Sequence, residues 1–101
     1  MTFIPIAKLS EIPAGSAKIV ELKNAEIALF RLGDAFFAIS NVCQHQGGPL
    51  GEGKIEGDQV VCPWHAWRFN LKDGSSPLSP KLKLKTYPVK QDGDQLLISI
   101  S

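Results

Sequence analysis

Two short stretches decide how this chain reads: Cys43-Gln44-His45-Gln46-Gly47-Gly48-Pro49-Leu50 and Cys62-Pro63-Trp64-His65. They hold both cysteines and both histidines of the chain, within 23 residues and in the order C-x-H-x16-C-x2-H. Each stretch therefore offers one thiolate and one imidazole. The two-residue step from Cys43 to His45 suits an extended or turning backbone with both side chains on one side. The three-residue step from Cys62 to His65 suits a tight turn, whose backbone Pro63 helps to pre-set. Pro49 can stiffen the first stretch in the same way.

Three uses of these four side chains compete. Buried cysteines and surface histidines can stand together by chance, but matched pairs with no others in the chain argue against it. A Cys43–Cys62 disulfide needs an oxidising compartment and leaves both histidines without a purpose. The start, Met-Thr-Phe-Ile-Pro, has neither the basic nor the apolar region of an export signal. The third use is a metal site. Zinc accepts two thiolates and two imidazoles, although its usual finger order is Cys-Cys followed by His-His. A [2Fe–2S] cluster takes two cysteines on one iron and two histidines on the other, so each stretch would touch both irons.

Outward from these stretches the chain reads as β. Glycine and proline recur so often that the longest segment free of both is Ser16 to Leu32. Short strands fit such pieces better than helices do. Gly33-Asp34 separates two apolar runs and predicts a hairpin, Lys23-Asn24 an earlier one, and Asp92-Gly93 a last one between Thr86–Lys90 and Gln95–Ile100. Ala25, Ile27 and Leu29 share one strand face, while Ala25, Ala28, Leu29 and Leu32 fit a helix nearly as well. The hairpin that follows favours strand. Leu82, Leu84 and Thr86 alternate with Lys81, Lys83 and Lys85, which predicts a solvated lysine face that would otherwise steer an acidic partner. Five of the nine glycines, 47, 48, 51, 53 and 57, lie in eleven residues beside Pro49. No phosphate-loop pattern is present, so these predict a loop folding closely around something small.

Size and charge narrow the function. The 101 residues suit one domain, residues 1–101, with 44% hydrophobic and 21% charged side chains as in a folded protein. A net charge of +1 makes no case for nucleic acid or an anionic membrane, and no apolar run approaches the length of a membrane span. A metal site that uses both histidines leaves none for a histidine base.

The ligand spacing, with Gly47-Gly48-Pro49-Leu50 after the first pair and Pro63-Trp64 inside the second, resembles the Rieske iron–sulfur family. The resemblance is strongest from Asn41 to Gly74. It implies an all-β fold in which a small cluster-binding lobe, residues 41–74, sits on an antiparallel β-sandwich base. It implies one [2Fe–2S] cluster, with Cys43 and Cys62 on the inner iron and His45 and His65 on the outer iron near the surface. Quinol-oxidising members brace their loops with a disulfide; its positions here are Gly48 and Trp64. Their hydroxyl donors to the cluster fall at Trp67 and Phe69. Without those hydrogen bonds the potential is expected near the bottom of the family's range, roughly −150 mV. Ala66 departs from the glycine usual after the last ligand, where a positive φ would strain alanine.

The chain thus resembles the soluble, low-potential ferredoxins that take electrons from a reductase and pass them to an oxygenase. It has no histidines for the second iron of an oxygenase catalytic subunit. The expectation is a cytoplasmic electron carrier, not an enzyme, monomeric when alone, with no nucleic acid or membrane partner. The alternatives are a small subunit of a reductase such as assimilatory nitrite reductase, or a zinc-stabilised binding module. Retention of all four ligands favours the carrier over the subunit.

Overall fold

The computed structural model describes residues 2–22, 25–42, 49–63, 67–77 and 79–99. Its strands are β1 Ile4–Lys8, β2 Ala17–Leu22, β3 Ala25–Leu32, β4 Ala35–Ser40, β5 Lys54–Glu56, β6 Gln59–Val61, β7 Arg68–Asn70, β8 Ser75–Ser76, β9 Ser79–Lys83, β10 Thr86–Tyr87, β11 Val89–Asp92 and β12 Gln95–Ile98. Among the described residues the only helical segments are single 3-10 turns at Leu9–Glu11 and Leu50–Glu52. Every strand pairing is antiparallel.

The middle layer is the sheet β10-β4-β3-β2. Gly33, at φ 60, and Asp34 turn the chain between Leu32 and Ala35, which are directly paired, so this hairpin is where the sequence places it. The other turn expected here, Lys23-Asn24, lies outside the described residues. Strand wins over helix at 25–32 because β3 is buried on both faces. Ile27 and Leu29 point to one cluster with Ile12, Phe36, Ala38, Tyr87, Leu96 and Ile98. Ala28 and Phe30 point to a second with Ile39, Leu50, Val60, Cys62, Phe69, Leu71 and Leu84. A strand covered on both sides needs no polar face, which is why its apolar run imitates a helix.

The first cluster joins the middle sheet to an outer sheet, β1-β12-β11; the second joins it to a small sheet, β5-β6-β7, whose strand β6 leads into Cys62. These three layers are the sandwich base and the lobe expected from the sequence. A two-stranded ribbon, β8-β9, follows β7.

Two local expectations need correction. Thr86–Lys90 is not one strand: Pro88 divides it, with Thr86 and Tyr87 pairing to β4 and Val89–Asp92 crossing to β12. A proline lacks the N–H that a continuous ladder would require. The last turn falls on Gly93-Asp94, one residue later than expected, because Asp92 still pairs with Gln95. The lysine alternation survives in part: Lys83 and Lys85 are exposed and Leu84 is buried, although the strand stops at Lys83.

Candidate metal centre

The first ligand stretch leaves the middle sheet at the end of β4. The Ser40 N–H donates to the Lys85 carbonyl at 2.9 Å, tying the strand end to the chain before β10. Asn41 comes next, only 1% exposed, with all its polar groups engaged. Its backbone N–H donates to the Glu26 carbonyl at 2.9 Å, and its Nδ2 donates to Glu26 Oε1 at 2.8 Å. Its carbonyl accepts from the Leu50 N–H at 2.7 Å, and its Oδ1 accepts from the Gly51 N–H at 2.5 Å. Val42 and Pro49 form an antiparallel bridge. The residues flanking 43–48 are therefore held together as a closed neck.

The second stretch leaves the small sheet at the end of β6. Val61 pairs with Arg68, and the Cys62 N–H donates to the Trp67 carbonyl at 2.7 Å. This closes a second neck around residues 63–66. Cys62 is 2% exposed, whereas Pro63 after it is exposed. Leu50 of the first neck and Cys62 of the second belong to one apolar cluster, with Trp67 packed against it. A short βββ lobe and a strand end of the middle sheet thus bring the borders of both segments to one apolar cluster.

Of the sequence-predicted ligands, Cys62 is placed at the base of its loop. Cys43, His45 and His65 lie outside the described residues, as do Gly47, Gly48, Trp64 and Ala66. Among the described residues no three or more His, Cys, Asp or Glu side chains gather in a metal-binding group. Trp67 packs against the apolar cluster and Phe69 lies within it. Glycines 51, 53 and 57 each meet a local demand: Gly57 turns β5 into β6, Gly53 abuts the Val61 carbonyl, and Gly51 abuts Ile19.

Charge braces the lobe from outside. Arg68 on β7 reaches across β6 to Glu56 on β5 at 2.8 Å, with Lys54 at 3.7 Å from the same carboxylate. The Arg68 guanidinium holds the Glu56 carboxyl below the usual carboxylate range. Sequence reasoning passed over Asn41. Its signal was an amide placed directly after the apolar run of β4, because Asn side chains serve as local partners for backbone groups.

A buried thiol at one neck, and a second neck closing a segment that contains a cysteine and a histidine, fit a group needing soft donors from two sides. Residues 2–88 match the Rieske [2Fe-2S] domain family, and the chain belongs to it. A ferredoxin component of the naphthalene 1,2-dioxygenase system of Pseudomonas aeruginosa is 33% identical over 98% of this chain and 96% of its own. The ferredoxin of carbazole 1,9a-dioxygenase from Nocardioides aromaticivorans IC177 superposes with a TM-score of 0.90 at 28% identity, covering 98% of each chain. A Mycobacterium tuberculosis protein described as the small subunit of an NADH-dependent nitrite reductase shares the fold, with a TM-score of 0.88 at 23% identity over 96% of this chain and 93% of its own.

Family membership answers the choice of metal that the donor set left open. The group is a Rieske-type [2Fe–2S] cluster, not zinc. No helix among the described residues is long and apolar enough to cross a membrane.

Proposed function

We propose that this chain is a one-electron carrier, a single domain over residues 1–101, that takes electrons from a reductase and delivers them to an oxygenase. Cys43 and Cys62 would hold the inner iron and His45 and His65 the outer one. When bound, the cluster supplies one reversible electron at low potential. The residues of this chain do the rest. The Asn41–Leu50 and Cys62–Trp67 necks fix the ends of the two candidate ligand segments on one apolar cluster, which limits rearrangement between oxidation states. Trp67 and Phe69, where other members place hydroxyl donors, put no O–H toward the cluster, which supports a low potential.

The observation that carries this reading is the pair of closed necks on one apolar cluster, each flanking one Cys/His pair of the sequence. The near end-to-end match to a dioxygenase ferredoxin component supports the partners. The reductase small subunit remains the second reading only at the level of fold. The match to dioxygenase-system ferredoxin components supports a cytoplasmic location, and nothing in the reading calls for a partner copy.

Anaerobic coulometric titration of the purified protein tests the proposal. One reversible electron per chain is expected, followed by its transfer to an aromatic-ring oxygenase supplied with the reduced protein. A colourless preparation holding stoichiometric zinc would overturn it. So would electron uptake only within a complex that reduces nitrite.

A further inference from the structure

We infer that Asn41 and Glu26 form a clamp that positions the first ligand segment and thereby sets how firmly the cluster is held. The inference rests on the assignment of Cys43 and His45 as ligands. Asn41 stands two residues before Cys43 and is the sole side chain bridging the two ends of the first neck among the described hydrogen bonds. Its Oδ1 accepts from Gly51, on the far side of the segment, while its Nδ2 donates to Glu26 on the neighbouring strand β3. The amide is therefore oriented by both its atoms: reversed, it would set oxygen against a carboxylate and N–H₂ against N–H.

Packing keeps the clamp tight. A Cβ on Gly51 would meet the Ile19 side chain and come within 2.9 Å of Asn41 Oδ1, so only glycine lets the backbone approach this closely. Glu26 also lies directly opposite Glu21 in the β2–β3 ladder, a like-charge pairing that destabilises unless one carboxylate is engaged elsewhere. Donation from the buried Asn41 amide engages it. Glu26, though exposed, is thus the outer anchor of the ligand segment, a positioning residue with no contact to the metal ligands required.

Asn41→Ala removes both side-chain bonds. Loss of the cluster to an excess of chelator should accelerate about tenfold, the factor that corresponds to about 1.4 kcal/mol. The EPR line positions of the reduced protein should shift as well. Glu26→Ala, a surface change that leaves the Gly51 bond in place, should show a smaller acceleration in the same direction. The double variant Glu26→Gln/Asn41→Asp rebuilds the clamp with donor and acceptor exchanged and the same net charge. It should recover most of the cluster lifetime lost in Asn41→Asp alone.

Identical chelation rates and EPR spectra in wild type, Asn41→Ala and Glu26→Ala would overturn the clamp. Failure of the exchanged pair to rescue Asn41→Asp would do the same. If Asn41→Ala does not fold, Glu26→Ala and the exchanged pair decide the question between them. A wild type that assembles no cluster would instead refute the ligand assignment, so the two failures are distinguishable.

Discussion

Gly51 shows how a single residue separates site from scaffold. The glycine-rich segment reads as a loop folding around something small, yet this glycine is required by Ile19 and Asn41, and Gly53 by the Val61 carbonyl. Gly51→Ala should therefore destabilise the protein by about 1–3 kcal/mol, as overpacking of a tight site does. A urea denaturation midpoint unchanged in that variant would contradict the packing. The candidate ligands stand out in the sequence because four soft donors at paired spacing have few other uses. Asn41 does not, since an amide declares its role only through its partners, and those lie at Glu26 and Gly51, far apart in sequence.

Strand β3 carries the lesson at the scale of elements. Period-two alternation marks a strand with one wet face, but Ile27-Ala28-Leu29-Phe30 is fully buried on both sides and so has no alternation to read. The turn at Gly33-Asp34 was legible from local chemistry, whereas the division of Thr86–Lys90 at Pro88 depended on which sheet each half joins. Phe30, which packs the middle sheet against the lobe, should cost about 3–5 kcal/mol when changed to Ala. Thermal unfolding checks this, and a loss below about 1 kcal/mol would show that the lobe does not depend on that layer.

The strut from Arg68 to Glu56 makes a separate prediction, through pH. The Glu56 carboxyl titrates lower in the folded state than in the unfolded chain, so the folded state binds fewer protons. Its stabilisation is present above the ordinary carboxylate range and is lost as pH falls through the depressed folded value. Both partners are well exposed, which keeps the effect small. The gap in urea midpoint between wild type and Glu56→Gln should be visible at about pH 7 and shrink as pH falls through and below the ordinary carboxylate range. A gap that does not change with pH would assign the effect to something other than this ion pair.

For the whole molecule, three β layers produce one function-bearing edge. The outer and middle sheets make the base, and the strand ends at Asn41 and Cys62 that lead into the two candidate ligand segments border a common apolar cluster. The sheets' existence could be read from punctuation by glycine and proline, but not their stacking order, which arises from contacts between distant strands such as β3 with β6 and β7. That Leu50 and Cys62, at the borders of the two stretches, meet in one apolar cluster was to be expected only from the candidate ligands the stretches carry.

The central claim is that both histidines bind the same cluster, and the composition makes it directly testable. His45 and His65 are the only histidines in the chain. Protein grown with ¹⁵N-histidine against an otherwise ¹⁴N background, reduced with dithionite, can be studied by pulsed EPR. The account predicts hyperfine coupling from two inequivalent histidine nitrogens on the reduced iron, with one of them lost in His65→Ser or His45→Ser if the variant keeps its cluster. A reduced cluster with no ¹⁵N-histidine coupling would contradict it.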